Sequence, residues 1–167
     1  MENVEIVEIT PDEWKTLRDL RREAVMESPA AFGQNEEEVD SVEEKEWRTR
    51  LSKHSYLFVK KGNAFVGMGC VVPEKNAKSK HGANIYGLYV SPQERGNGTG
   101  RKLLEALIEH ARRWYPDLIK ISLIASATQS AALSLYESTG FKRIGVLEKE
   151  MNINGTYVDE VMLVKFL

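Results

Sequence analysis

The chain has 167 residues and a single cysteine, Cys70, so no intramolecular disulfide framework holds it together. Five prolines and twelve glycines are too few for a fibrous or low-complexity chain. No apolar run approaches the roughly 20 residues of a membrane span. The acidic start Met1-Glu2-Asn3-Val4-Glu5 lacks the apolar stretch of a signal peptide. The formal net charge of −2 supplies no global basic field for nucleic acid. The three histidines, His54, His81 and His110, are scattered and lack Cys or carboxylate partners at metal-ligand spacing. What remains is an ordinary globular composition, 42% apolar and 29% charged. The expectation is one domain over residues 1–167 in the cytoplasm, without a membrane, nucleic-acid or metal partner.

Periodicity and punctuation set out the elements. Val4 to Ile9 alternates as a strand. Thr10-Pro11-Asp12-Glu13 is a capping box opening a helix that ends before Pro29. Residues 28–40 read as a loop with an acidic run and an exposed Phe32. Ser41-Val42-Glu43-Glu44 reads as a second capping box, with a helix to Lys53. Tyr56–Lys60 and Ala64–Val72 form a hairpin across Gly62-Asn63. Residues 74–84 read as a polar connection, and Ile85–Val90 as the next strand. A helix from about Gly98 to Trp114 buries Leu103, Leu104, Leu107, Ile108 and Ala111. Strand Ile119–Ala125, helix Ser130–Ser138 with Gly140 as its left-handed cap, one strand or two short ones over Phe141–Leu147 and Met151–Ile153, and strand Tyr157–Phe166 complete the chain. Asn154-Gly155 marks the last hairpin. The order indicates a mixed α/β sheet with helices on its faces.

The chain is organised around Ile85 to Leu104, where a strand runs through Ser91-Pro92 into Arg95-Gly96-Asn97-Gly98-Thr99-Gly100-Arg101 and then a helix. Glycines let backbone N–H groups approach an anion. A helix start adds unpaired donors and a positive dipole end. Arg95 and Arg101 bring charge to either end. A P-loop would close on Gly-Lys-Ser/Thr, whereas Arg101-Lys102 follows Gly100. The spacing is also not the G-x-G-x-x-G of a dinucleotide fingerprint at a first strand.

This stretch resembles the signature of the GCN5-related N-acetyltransferases (GNAT), Gln/Arg-x-x-Gly-x-Gly/Ala after a strand ending in Val-x-Pro. Two frames satisfy it, Gln93…Gly96…Gly98 and Arg95…Gly98…Gly100, with Leu103-Leu104 following. Ala132-Leu133-Ser134-Leu135-Tyr136-Glu137-Ser138-Thr139-Gly140-Phe141 is similar to the family's second hallmark. The resemblance implies an α+β fold. Its central sheet is mixed and mostly antiparallel, with about 6–7 strands and four flanking helices, splayed between the fourth and fifth strands. It implies acetyl-CoA as cosubstrate. Leu88, Tyr89 and Val90 would face the pantetheine arm, and Arg95, Gly96, Asn97, Gly98, Thr99, Gly100 and Arg101 the pyrophosphate. Tyr136 matches the tyrosine assigned as general acid to the leaving thiolate. Homodimers are common in the family.

Two positions depart from the pattern. Gln129 stands where relatives place a cofactor-contacting Asn, and Tyr86 where many place a Glu that acts as base through water. Glu23, Glu27, His81 and Glu150 are other base candidates, each expected to be solvated. Cys70 lies in an apolar strand without a neighbouring His and is expected to be a buried, unreactive thiol. The acids Glu36, Glu37, Glu38 and Asp40 would attract a cationic amine if they formed a free rim. The expected activity is acetyl transfer to a small-molecule amine by direct attack in a ternary complex. Acetylation of a protein N-terminus or lysine, and a non-catalytic acyl-CoA sensor, are the alternatives.

Overall fold

The computed structural model describes residues 3–167, so the reading of Met1 and Glu2 lies outside the described residues. Seven strands form one sheet in the order β1-β2-β3-β4-β5-β7-β6. They are β1 (Val4–Val7), β2 (Ser55–Lys61), β3 (Ala64–Pro73), β4 (Gly82–Val90), β5 (Lys120–Ser126), β6 (Lys142–Ile153) and β7 (Thr156–Phe166). Every pairing is antiparallel except β4 with β5. The helices are α1 (Trp14–Glu27), α2 (Glu36–Asp40), α3 (Glu44–Lys53), α4 (Thr99–Trp114) and α5 (Ser130–Ser138). Among the described residues no helix is long and apolar enough to cross a membrane.

The sheet separates two cores. On one face α4 lays Leu103, Leu104 and Leu107 against Val59, Val71 and Ile121, and α5 adds Leu133 and Tyr136. On the other, Leu17, Leu20 and Ala24 of α1 pack with Trp47 of α3 and with Phe58, Met68 and Tyr89 of the sheet. Strand alternation explains the division: Leu57 and Val59 enter the first core and Phe58 the second.

Local chemistry corrected several boundaries. Thr10 and Glu13 form their capping box, with the Thr10 N–H donating to Glu13 Oε2 at 2.9 Å, but it opens a 3-10 turn, Pro11–Glu13, ahead of α1. The stretch 28–40 is not a plain loop. It holds a 3-10 turn at Pro29–Ala31 and the five-residue α2, a fifth helix beside the four expected. Asn35 starts α2: its side chain accepts from the Glu38 N–H at 2.9 Å, while its own N–H donates to Glu38 Oε2 at 2.8 Å. Three glutamates in the first turn suit the helix dipole. Ser41 caps nothing. Its hydroxyl donates to the Glu38 carbonyl, and α3 begins at Glu44. Gly82–Asn84, read as connection, belongs to β4. β6 is one long strand with two irregularities, between Arg143 and Gly145 and between Leu147 and Met151.

Candidate active site

The site begins where the sheet divides. β4 and β5 pair only at Gly82↔Lys120, Ala83↔Ile121 and Asn84↔Ser122. Beyond these pairs they separate, leaving the β4 edge from Ile85 to Val90 without a strand partner on that side. This is the splay expected between strands 4 and 5.

A bulge then re-aims β4. Cys70 of β3 stands opposite Tyr86, and Met68 opposite Tyr89, so β4 carries one residue more than β3 over this interval. Gly87 absorbs it with φ +61°. The inserted residue changes the parity of everything after it. Ile85, Leu88 and Val90 meet the α4 core, while Tyr89 enters the α1 core. A lone glycine inside a strand pattern was the available signal for this bulge.

The turn after β4 is fixed in place. The Ser91 N–H donates to the Val66 carbonyl at 2.8 Å, and Lys61 pairs with the buried Glu94 at 2.7 Å. Gly96 and Gly98 take φ of +76° and +89°, and a Cβ on either would meet open space. Asn97 Oδ1 accepts from both the N–H and the hydroxyl of Thr99, at 3.1 and 2.7 Å. The first bond of α4 runs from the Lys102 N–H to the Gly98 carbonyl. The N–H groups of Gly100 and Arg101 therefore have no acceptor within the helix. The cradle fits a phosphate through these donors and the open glycine positions.

The two arginines are engaged elsewhere. Arg95 donates from Nε to the Val90 carbonyl at 2.8 Å and forms a bidentate pair with Glu27. Arg101 donates to the Ser138 hydroxyl at 2.7 Å, joining the start of α4 to the end of α5.

That link brings Tyr136 to the same region. A Cβ on Gly100 would stand 3.4 Å from Leu135 of α5. The Tyr136 ring is buried and packs edge-on against Phe141 at 6.1 Å. Burial pushes its phenol up to about 12. Gln129 occupies the N-cap position of α5 without its side chain capping the helix.

On the α1 side, two of the supposedly solvated base candidates have defined partners. Glu23 Oε1 accepts from the Tyr89 hydroxyl at 2.9 Å and the Ser91 hydroxyl at 2.6 Å. Burial, followed by this bond, pushes the Tyr89 phenol up. Glu27 is held by Arg95 and lies below the usual carboxylate range because of that bond. Tyr86 is 54% exposed, and its phenol is raised, chiefly by burial of the remainder. Phe32 is buried rather than exposed, edge-on to Tyr89 at 6.2 Å. Cys70 is buried, and burial pushes its thiol up to about 12, as expected of an unreactive side chain. The acidic rim is largely neutralised: Arg22 pairs with Glu36 and Asp40, and Glu38 caps α2. Glu160 of β7 is not among the base candidates named from the sequence. Its half-buried carboxyl is raised by burial and then by Glu150. No motif marks it.

Residues 14–141 match the sequence profile of the Acetyltransferase (GNAT) family. The chain belongs to the GNAT acetyltransferases. Acetyl-CoA is the cosubstrate of that family. The chain is 31% identical to rat N-acetyltransferase 8F1 over 101 residues, 59% of this chain and 44% of that protein. It spans less than half the length of the curated relatives it matches. Its fold is that of a GNAT-family acetyltransferase from Streptococcus pneumoniae, with a TM-score of 0.89, 19% identity and coverage of 99% of this chain and 100% of that one. A phosphinothricin acetyltransferase from Sinorhizobium meliloti, solved with acetyl-CoA, superposes with a TM-score of 0.81 at 17% identity, covering 98% and 88% of the two chains.

Proposed function

We propose that residues 1–167 act as one N-acetyltransferase domain that moves the acetyl group of acetyl-CoA to the primary amine of a small-molecule acceptor, by direct attack in a ternary complex. The observation that carries this reading is the meeting of two features at one place. The sheet opens beside β4, and the strand that opens leads straight into the glycine cradle.

Bound acetyl-CoA supplies an activated thioester. Leu88, Tyr89 and Val90 present to its pantetheine arm a backbone edge that has no strand partner, with the Val90 carbonyl already taken by Arg95. Gly96, Asn97, Gly98, Thr99, Gly100 and Arg101 surround the pyrophosphate, with the free donors coming from Gly100 and Arg101. Thr99 contributes through its bond to Asn97, which fixes the loop. Arg95 shapes the cradle from behind, through Val90 and Glu27. Gln129 lines the start of α5. Tyr136 protonates the leaving thiolate. A phenol raised to about 12 is fully protonated at neutral pH, as an acid must be. Tyr86 at the usual base position, together with the commitments of Glu23 and Glu27, favours loss of the amine proton through water.

The test is acetyl-CoA consumption with polyamines, amino acids, aminoglycosides and short peptides as acceptors. Turnover on a small amine is expected. Tight CoA binding without turnover on any amine would instead identify a sensor.

A further inference from the structure

Arg21 is a largely, not fully, buried cation without a carboxylate partner among the described residues. It projects from α1 over Tyr56 and Cys70, with the Arg50 guanidinium as a second cation nearby. Tyr56, Cys70 and Tyr86 lie in register across β2, β3 and β4, beside the point where β4 leaves β5. The guanidinium carbon sits 5.2 Å from the centre of the Phe32 ring. Its Nε is fully buried and has no hydrogen-bond partner. Packing and contact with the Tyr56 hydroxyl, rather than a salt bridge, hold the group there.

The charges around α1 are otherwise accounted for. Arg18 pairs with Asp19, and Arg22 with Glu36 and Asp40. Glu23 is taken by Tyr89 and Ser91, and Glu27 by Arg95. Among the described residues no carboxylate forms an ion pair with Arg21. A guanidinium stays charged even when burial lowers its basicity. A buried, unpaired charge is unfavourable unless something arrives to pair with it.

The approach to Arg21 is also defined. A Cβ on Gly87 would stand 3.3 Å from both Nη1 and Nη2. The bulge glycine therefore makes room for the forked end against β4, where a side chain would crowd it, and of the three guanidinium nitrogens only Nε is both fully buried and unpartnered. Two parallel N–H donors match the two oxygens of a carboxylate.

We propose that Arg21 binds a carboxylate carried by the acceptor, so that the amine acetylated belongs to a small amino-acid-like molecule. This rests on the acetyl-transfer reading and narrows it. It also separates that reading from acetylation of protein N-termini and lysines, whose amines are not accompanied by a nearby obligatory carboxylate.

The test uses matched acceptors with saturating acetyl-CoA: L-amino acids, their carboxamides and the corresponding decarboxylated amines, followed by thiol release. The wild-type chain is expected to prefer acids over carboxamides by about 100-fold in kcat/KM. In Arg21→Met that ratio collapses towards one. Arg21→Lys, which keeps the charge but not the fork, retains only part of it, and serves if Arg21→Met does not fold. Equal wild-type rates on acids and carboxamides, or an unchanged ratio in the folded variants, overturn the assignment while leaving acetyl transfer intact. Equal rates on a peptide N-terminus and a free amino acid also overturn it. If no amine is acetylated, acetyl transfer itself fails. Calorimetric titration of N-acetylglycine in the presence of CoA then decides the anion site, with binding to the wild type and not to Arg21→Met supporting it and no binding overturning it.

Discussion

The Arg95 guanidinium grips the Glu27 carboxylate with both terminal nitrogens, Nη2 to Oε2 at 2.6 Å and Nη1 to Oε1 at 3.1 Å, tying α1 to the turn that follows β4. Glu27 lies below its ordinary value of 4.5, first through this bond. A depressed carboxylate contributes stability above its unfolded pKa and loses it as pH falls through the folded one. Glu27→Gln is expected to cost about 0.5–1 kcal/mol at pH 7, the range of a partly exposed pair. In urea melts its gap from the wild type should close below about pH 4. A gap that persists unchanged at pH 3 would contradict this account.

Tyr136 separates chemistry from packing. Tyr136→Phe keeps the ring against Phe141 and removes only the hydroxyl. A lost general acid is expected to lower kcat by about 10²–10⁴-fold, with Tm within a few degrees of the wild type. Because burial pushes the phenol up to about 12, the wild-type rate should show no loss from its ionisation up to pH 9. Unchanged kcat with saturating acceptor would leave Tyr136 a packing residue.

Cys70→Ser tests the direct route. Acetyl transfer is expected to persist, while the buried hydroxyl costs about 1–3 kcal/mol in the fold. The native thiol, with its pKa raised to about 12, should react with alkylating reagents only as the chain unfolds. A folded, inactive Cys70→Ser protein, or an acetylated Cys70 in a peptide map, would point to a covalent intermediate.

Gly98→Ala isolates the cradle. A methyl there meets open space, but φ of +89° is strained for any side chain. The strain is expected to be about 1–2 kcal/mol. If the loop relaxes to a negative φ, the free N–H groups turn away. CoA affinity by calorimetry should then fall about tenfold, with the helix content of the circular dichroism spectrum unchanged.

Much of this was legible because it is local. Pro92, the three glycines and the apolar face of Leu103, Leu104 and Leu107 sit next to one another in the chain, and the structure puts them in one turn and one helix. Tyr136 and Gly140 are equally short-range. What the sequence hid depends on distant partners. Gly82–Asn84 is a strand because β5, nearly 40 residues later, pairs with it in parallel. Phe32 is buried because Tyr89 and Arg21 come to it from two other elements. Glu23 looked solvated until the Gly87 bulge changed the parity of β4 and turned Tyr89 towards α1. Nothing local separates Arg21 from Arg22 in the chain; the difference lies in distant partners, Glu36 and Asp40 for Arg22 and no carboxylate among the described residues for Arg21.

The three residue pairs that join β4 to β5 are a thin seam between two half-sheets. Hydrogen exchange should therefore report two cooperative units. The amides of Leu88 to Val90 that face the gap are expected to exchange by local opening, and those of β2 and β3 only by global unfolding. A molecule lying along that gap would replace the missing ladder. CoA binding should slow exchange on β4 and on β5 together, merging the two units into one.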